Sequence, residues 1–367
     1  MGTMGRTTIK DIALAADVSI TTVSHALNHT RHVSPVTRAR VQDLAQKMGY
    51  RPNSIARTLQ GQDSLLIGHI LSQLHTNLFY ALVARGADQR AQELGYATIM
   101  AHTESHVESE EQAVRLLLDK RVNGIIFTTP LSPSNVLLAM SEGACAVMIE
   151  RPLPVPGAHA VVIDHRRGIY DLTCMLVEQG HHHIAYVGGD FSLPGSDLVE
   201  RERLRGFQDA MIEVGLSVPL AQMLLVPYGI NPARSACQAL LDGPRRPTAL
   251  VIGSDLLAAG VLQVLYERRL RVPDDLSVVS FDDTLGPYMV PALTESKPPD
   301  EEMGRQAVDL IVQHSQRQAN RSQRIVLQPQ LHRRDSTRTL NHADASPQLS
   351  ERSDSRVDTK EPGLDPT

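Results

Sequence analysis

Cysteine is scarce in this sequence. Its three residues, Cys145, Cys174 and Cys237, are scattered and form no C-x-x-C pair. That argues against a disulfide framework and against a structural zinc site. No apolar run approaches the roughly 18 residues that a membrane span needs. The N-terminus lacks the charged-then-apolar pattern of a secretory signal, so the expected location is the cytoplasm. Missing as well are a G-x-S-x-G elbow, a G-x-x-x-x-G-K-[ST] loop, an H-E-x-x-H helix and a G-x-G-x-x-G turn after a strand. Without them the sequence offers no basis for a hydrolytic or nucleotide-dependent enzyme. No cofactor or metal is expected either: His181, His182 and His183 would begin a strand, where neighbours face opposite ways and cannot converge on one ion.

The 367 residues, 42% of them hydrophobic, suffice for two or three packed units. Charge divides them unevenly. The net charge is −5, yet residues 1–60 hold eight Lys or Arg against three acids. A small basic module on an acidic body suits a polyanion-binding headpiece whose partner domain stays off the polyanion.

Three short helical patterns fill that basic segment. Thr8 caps the first, with Asp11 at the reciprocal position, and Ile9, Ile12, Ala13 and Ala16 recur at helical spacing. After a break at Asp17-Val18, Ser19 caps a helix over residues 20–27. The third starts at Ser34-Pro35, turns Val36, Val41, Leu44, Ala45 and Met48 inward, and stops at Gly49. The outward face of the second helix carries Thr21, Thr22, Ser24, His25 and Asn28, short polar groups that suit base edges in a major groove, with basic residues around them for phosphates. A generic three-helix bundle with an ordinary polar surface would show the same features.

The motifs are more specific. Thr8-Ile9-Lys10-Asp11-Ile12-Ala13, the run from Val18 to Asn28 and Val33-Ser34-Pro35-x-Thr37-x-x-x-Val41 together resemble the headpiece of the lactose/galactose repressor family. Thr22-Val23-Ser24-His25 and Asn28-x-Thr30-Arg31 resemble its purine-repressor branch. The resemblance implies that Ile20, Thr21 and His25 read bases, Thr21 and His25 sharing one helical face. With Thr22, Asn28, Arg31, Ser54, Arg57 and Leu59 they make up the expected DNA-binding set. Residues 7–51 form the headpiece, and residues 52–62 a hinge helix between Pro52 and Gly61. That helix is too short to be stable alone. By resemblance, Leu59 wedges into the minor groove while the two hinge helices of a dimer pack together.

From Leu65 onward, strand-like runs alternate with amphipathic helices. Residues 66–71, 97–100, 124–127, 183–187, 249–252 and 276–281 read as strands; 77–94, 108–120, 203–214 and 255–268 read as helices. Such alternation implies parallel sheets covered on both faces, and its length exceeds one ordinary open sheet. Motifs such as Val162-Ile163-Asp164, Arg203-x-x-Gly206-Phe207 and Ser280-Phe281-Asp282-Asp283 resemble the same family's effector domain. The expected fold is therefore an all-α helix-turn-helix headpiece plus an α/β, periplasmic-binding-protein-like body of two doubly wound parallel-sheet lobes. The body spans residues 63–338, and the resemblance implies that its lobes exchange chain segments, lobe 1 taking 63–164 and 295–320 and lobe 2 taking 165–294 and 321–338. The polar tail, 339–367, is expected to be disordered.

Ligands of such folds sit at the carboxyl ends of strands, between the lobes. The candidates are Asn77, Phe79, Tyr80, Asp164, Arg203, Asp255 and Asp282, with core packing as the alternative role for the aromatic pair and helix capping for Asp255. Asp197 aligns where the purine branch uses an arginine, and Ile230 stands where a ring-stacking aromatic is common. These departures favour a sugar or sugar acid over a purine. The expected protein is a transcription regulator, a repressor, that binds a pseudo-palindromic duplex operator as a homodimer, with tetramer formation left open and no membrane partner. The alternatives are a purine-type co-repressor-dependent regulator and a solute-binding protein without a regulatory role.

Overall fold

The computed structural model describes residues 7–28, 33–49, 64–73, 78–191, 196–316 and 321–340. The chain forms two compact units that divide at Leu65. Expectations for the hinge helix, for Arg31, Ser54, Arg57, Leu59 and Asn77, and for the tail beyond Leu340 lie outside the described residues.

The first unit contains α1 (Ile9–Ala15), α2 (Ile20–Asn28) and α3 (Pro35–Lys47). Their starts are written in hydroxyls and carboxylates. The Asp11 carboxylate accepts from the Thr8 amide (2.7 Å) and hydroxyl (2.8 Å). Ser19 Oγ accepts the Thr22 amide at 3.0 Å, and Ser34 Oγ that of Thr37 at 3.1 Å. Each such cap contributes about 1 kcal/mol, a large share for helices this short. Gly49, at φ +62°, ends the last helix in a conformation that side chains disfavour. Ile12, Ala13, Ala16, Val23, Ala26, Val41 and Ala45 form the core. Val36, expected to face inward, is 80% exposed: it follows the cap on the outer side of the first turn, and Val41 and Ala45 fill the interior instead.

The second unit is the α/β body. Its first part runs β1 (Leu66–Leu71), α4 (Leu78–Glu93), β2 (Ala97–His102), α5 (Val107–Asp119), β3 (Gly124–Thr128), α6 (Pro133–Ser141), β4 (Cys145–Ile149) and β5 (His159–Ile163). There follow α7 (His165–Glu178), β6 (Ile184–Gly189), α8 (Ser196–Glu213), β7 (Met223–Val226), α9 (Ile230–Asp242), β8 (Ala249–Ile252), α10 (Asp255–Glu267), β9 (Ser277–Phe281) and β10 (Thr294–Lys297). The last elements are α11 (Asp300–Ser315), β11 (Arg324–Leu327) and β12 (Gln330–His332). Two six-stranded sheets result, ordered β11-β5-β4-β3-β1-β2 and β12-β10-β9-β8-β6-β7. Every pairing is parallel except β10 with β12. Central strands such as Gly124–Thr128 and Ala249–Ile252 are buried along their whole length, as strands covered on both faces must be.

The lobe boundaries differ from expectation after residue 294. All of β10, through Lys297, belongs to the second sheet, and β11 belongs to the first. The chain therefore crosses between lobes at residue 164, at 298–299 and at 328–329, not at 294 and 321. Lobe 2 also extends past 338, because the Leu340 amide donates to the Gln179 carbonyl at 2.8 Å. The helix expected from Arg203 begins seven residues earlier, at Ser196.

Candidate functional site

Parallel strands end with their side chains and amides converging, and here both sheets aim their carboxyl ends at one cleft. A cavity of about 110 Å³ lies between the lobes. Lobe 1 contributes Gln73 after β1, Phe79 and Tyr80 from α4, Thr129 after β3, Glu150 and Arg151 after β4, and Ile163 from β5. From lobe 2 come His165, Val199, Glu200, Arg203, Tyr228, Phe281 and Asp282, with Pro298 at a crossover.

Arg203 is the hub. Its guanidinium donates to the Gly253 carbonyl (2.7 Å) and to His165 Nδ1 (3.3 Å), and lies 3.4 Å from Asp282 and 3.5 Å from Glu200. It also stacks over Phe281, 4.5 Å from the ring centroid. Burial opposes its charge, but Glu200 and Asp282 hold the proton on. Glu200 in turn accepts the Gly189 amide at 3.1 Å. Burial pushes the Asp282 carboxyl up, against the pull of Arg203. Asp282 sits at φ +106°, a strained backbone for a residue with a side chain, at the turn that follows β9. Glu150, at φ +71°, lies 2.8 Å from His165 Nε2. Burial would raise its carboxyl; His165, Arg203 and Arg151 together keep it below the usual range. The Tyr228 phenol is pushed up by burial and by Asp282, so it stays protonated.

Phe79 and Tyr80 are both buried and both line the cavity, their rings edge to face at 5.3 Å. The Tyr80 hydroxyl joins Ser72 and Thr129 in a closed hydroxyl cluster at 3.1 Å from each. Three candidates stand elsewhere. Asp164 caps α7, accepting the Arg167 amide at 2.9 Å and Gln328 Nε2 at 3.4 Å. It is not among the residues lining the cavity. Asp255 turns away and accepts the Thr284 amide (2.7 Å), the Leu285 amide (2.6 Å) and the Thr284 hydroxyl (2.9 Å). Ser254, not Asp255, caps α10. Ile230 begins α9, its carbonyl packed against Gly260, and the aromatic of this wall is supplied by Tyr228. Sequence reading missed Glu150, Arg151, His165, Glu200, Tyr228 and Phe281. The signal for Glu150 and Tyr228 is a polar or aromatic residue just past a short strand, and the sequence pattern marks neither β4 nor β7 as a strand.

In the first unit, Ile20 (45%) and Thr21 are exposed, and Thr22 and His25 half-buried, on α2. The Thr22 hydroxyl is engaged with Ser19 at 2.8 Å. Asn28 is helical, and its side chain lies outside the described ones. Not all of the surrounding basic residues are at liberty. Arg40 donates to the Ala16 carbonyl, and Lys47 pairs with Asp43 at 2.7 Å. His181 bonds Thr248 and the Arg338 carbonyl through its two ring nitrogens, both at 3.0 Å.

Among the described residues, no helix is long and apolar enough to cross a membrane. The family model of bacterial regulatory proteins of the lacI family matches residues 8–53, and that of the periplasmic binding protein-like domain matches 173–337. The HTH-type transcriptional regulator DegA of Bacillus subtilis is 34% identical, over 92% of this chain and 99% of its own. The ribose operon repressor of Escherichia coli is 32% identical, over 90% and 99%. The lac repressor dimer bound to operator and the anti-inducer ONPF superposes with a TM-score of 0.76 at 29% identity, over 91% and 99%. The chain belongs to the lacI family of bacterial regulatory proteins: it is a DNA-binding transcription regulator with a periplasmic-binding-protein-like, ligand-binding body.

Proposed function

We propose that this regulator is a cytoplasmic homodimeric repressor whose operator affinity is set by a neutral sugar in the interlobe cavity. The carrying observation is the charge of the wall. Three carboxylates, Glu150, Glu200 and Asp282, face two guanidinium groups, Arg151 and Arg203, and each guanidinium already has an acid beside it. An anionic sugar acid would have to displace a carboxylate from Arg203 inside a buried site, where leaving a charge unpaired costs several kcal/mol (roughly 3–5). A neutral polyol asks for no such exchange. Its hydroxyls both donate and accept, which matches carboxylates, a guanidinium and a protonated phenol, while Phe79, Tyr228 and Phe281 offer rings to its C–H faces. The sugar named in the ribose operon repressor agrees with this class.

In the first unit, Ile20, Thr21 and His25 read the operator's base edges. The set extends through Thr22, Asn28, Arg31, Ser54, Arg57 and Leu59 by the family resemblance of the sequence. Closure of the lobes around sugar changes the fit of a dimer to its two half-sites.

The test is thermal unfolding of the full chain against neutral pentoses and hexoses, their acids, and purine bases. A neutral sugar should raise the melting temperature, and Asp282→Ala should remove that shift while leaving sugar-free, salt-sensitive operator binding intact. A shift given only by sugar acids or by purines overturns the assignment.

A further inference from the structure

Outside the cleft, three metal-ligating side chains from distant parts of the sequence meet on lobe 1. Cys145 opens β4, His159 opens β5, and His314 lies in the last turn of α11. One ligand atom of each lies within 4.8 Å of the other two. The imidazoles of His159 and His314 meet edge to face, with centroids 6.0 Å apart and planes at 89°. Cys145 and His159 are buried, whereas His314 is exposed.

We propose that Cys145, His159 and His314 bind a thiophilic metal ion of the Zn²⁺ class, with water as the fourth ligand on the open side of His314. One thiolate and two imidazoles form a soft-to-borderline donor set that selects such ions over Mg²⁺ or Ca²⁺. Tetrahedral ligands at zinc bond lengths stand about 3.5 Å apart, so the cluster must tighten by roughly 1 Å. The exposed His314 side chain has the rotamer freedom to do this, whereas the two strand residues are held in register by neighbouring strands. The balance is simple. The ion arrives hydrated, the thiol releases its proton to solvent, and metal–sulfur and metal–nitrogen bonds replace the water. One hydrogen bond is surrendered. The Gln323 amide donates to His159 Nδ1 at 3.3 Å. If Nδ1 binds the metal its lone pair is used, and if Nε2 binds, Nδ1 carries the proton.

The site sits at the amino-terminal edge of the sheet, away from the strand ends that line the sugar cavity. The Cys145 amide bonds the Asn123 carbonyl (3.3 Å), and the Asn123 amide bonds the Leu66 carbonyl (2.8 Å). A bound ion would tie two strands and a helix together along the edge where Leu66 begins the first strand of the body.

The test uses the untagged full chain and Co²⁺ as the probe. One equivalent should bind, with thiolate-to-cobalt absorption in the near ultraviolet and the strong visible bands of a tetrahedral ion, and Zn²⁺ should displace it. Cys145→Ser should abolish the ultraviolet band even though Cys174 and Cys237 remain. His314→Ala, at an exposed position, should weaken binding by about tenfold or more without changing metal-free unfolding. Cobalt bound without the thiolate band, affinity unchanged in His314→Ala, or no binding at all would overturn the site.

Discussion

His69 sits in the middle of β1 with no exposed surface, its Nε2 against the Thr128 hydroxyl at 2.8 Å. Burial pushes this imidazole down from 6.5 to about 4. In the unfolded chain it would take up a proton as the pH drops below 6.5, but in the fold it cannot until about pH 4. Proton uptake therefore favours unfolding in that window. The stability His69 confers is complete above pH 6.5 and is lost as the pH falls to about 4. The loss amounts to roughly 3 kcal/mol at the low end. His69→Val should flatten urea-unfolding stability between pH 6.5 and 4, and an unchanged slope would place the acid sensitivity elsewhere. In the cleft, Asp282 was legible by position, because it follows directly on a strand, whereas Arg203 was singled out as the start of a helix and lies in the middle of α8. Glu150 and Tyr228 were not legible, because what brings them to the cavity is the end of a strand too short to announce itself.

Among the elements, the crossing of α4 and α11 is the tightest contact in lobe 1. A methyl group on Gly304 would lie 2.1 Å from the Val83 carbonyl oxygen, and one on Gly86 would lie 2.0 Å from that of Glu301. Alanine is the better helix former by about 1 kcal/mol, but here it meets backbone, which cannot swing aside. Gly304→Ala should therefore lower the body's stability by about 1–3 kcal/mol net. A gain in the urea midpoint would show that the helices can part. This crossing explains why α11, late in the sequence, belongs to lobe 1. Periodicity identified seven of the eleven helices and six of the twelve strands among the described residues, yet it could not place the exchange at 298–299, since β10, only four residues long, carries too little pattern to be recognised. The Cys145, His159 and His314 cluster was invisible for a related reason. Its members are 14 and 155 residues apart in sequence, and only the pairing of β4 with β5 and the docking of α11 unite them.

Across the whole molecule, effector and operator act on one chain through separate units, so their effects on each other must be equal. If sugar changes operator affinity by some factor, about 5- to 150-fold in typical cases, operator must change sugar affinity by that same factor. Paired titrations, one of operator with and without sugar and one of sugar with and without operator, should give matching ratios. A mismatch would mean that a change of assembly state intervenes. The direction, release or recruitment, depends on which lobe arrangement fits the operator.

The triple crossing of the backbone constrains how that signal can travel. Two of the strands lie side by side: the Asp164 amide bonds the Leu327 carbonyl at 3.0 Å, and Gln328 reaches the Asp164 side chain. Pro298 and Pro299 stiffen the other. A single tether would let the halves twist, slide and tumble. Three leave them something closer to a door on its pins, with swing as the one easy motion. Whatever the guest in the cleft contributes is thereby channelled into an angle between the two lobes.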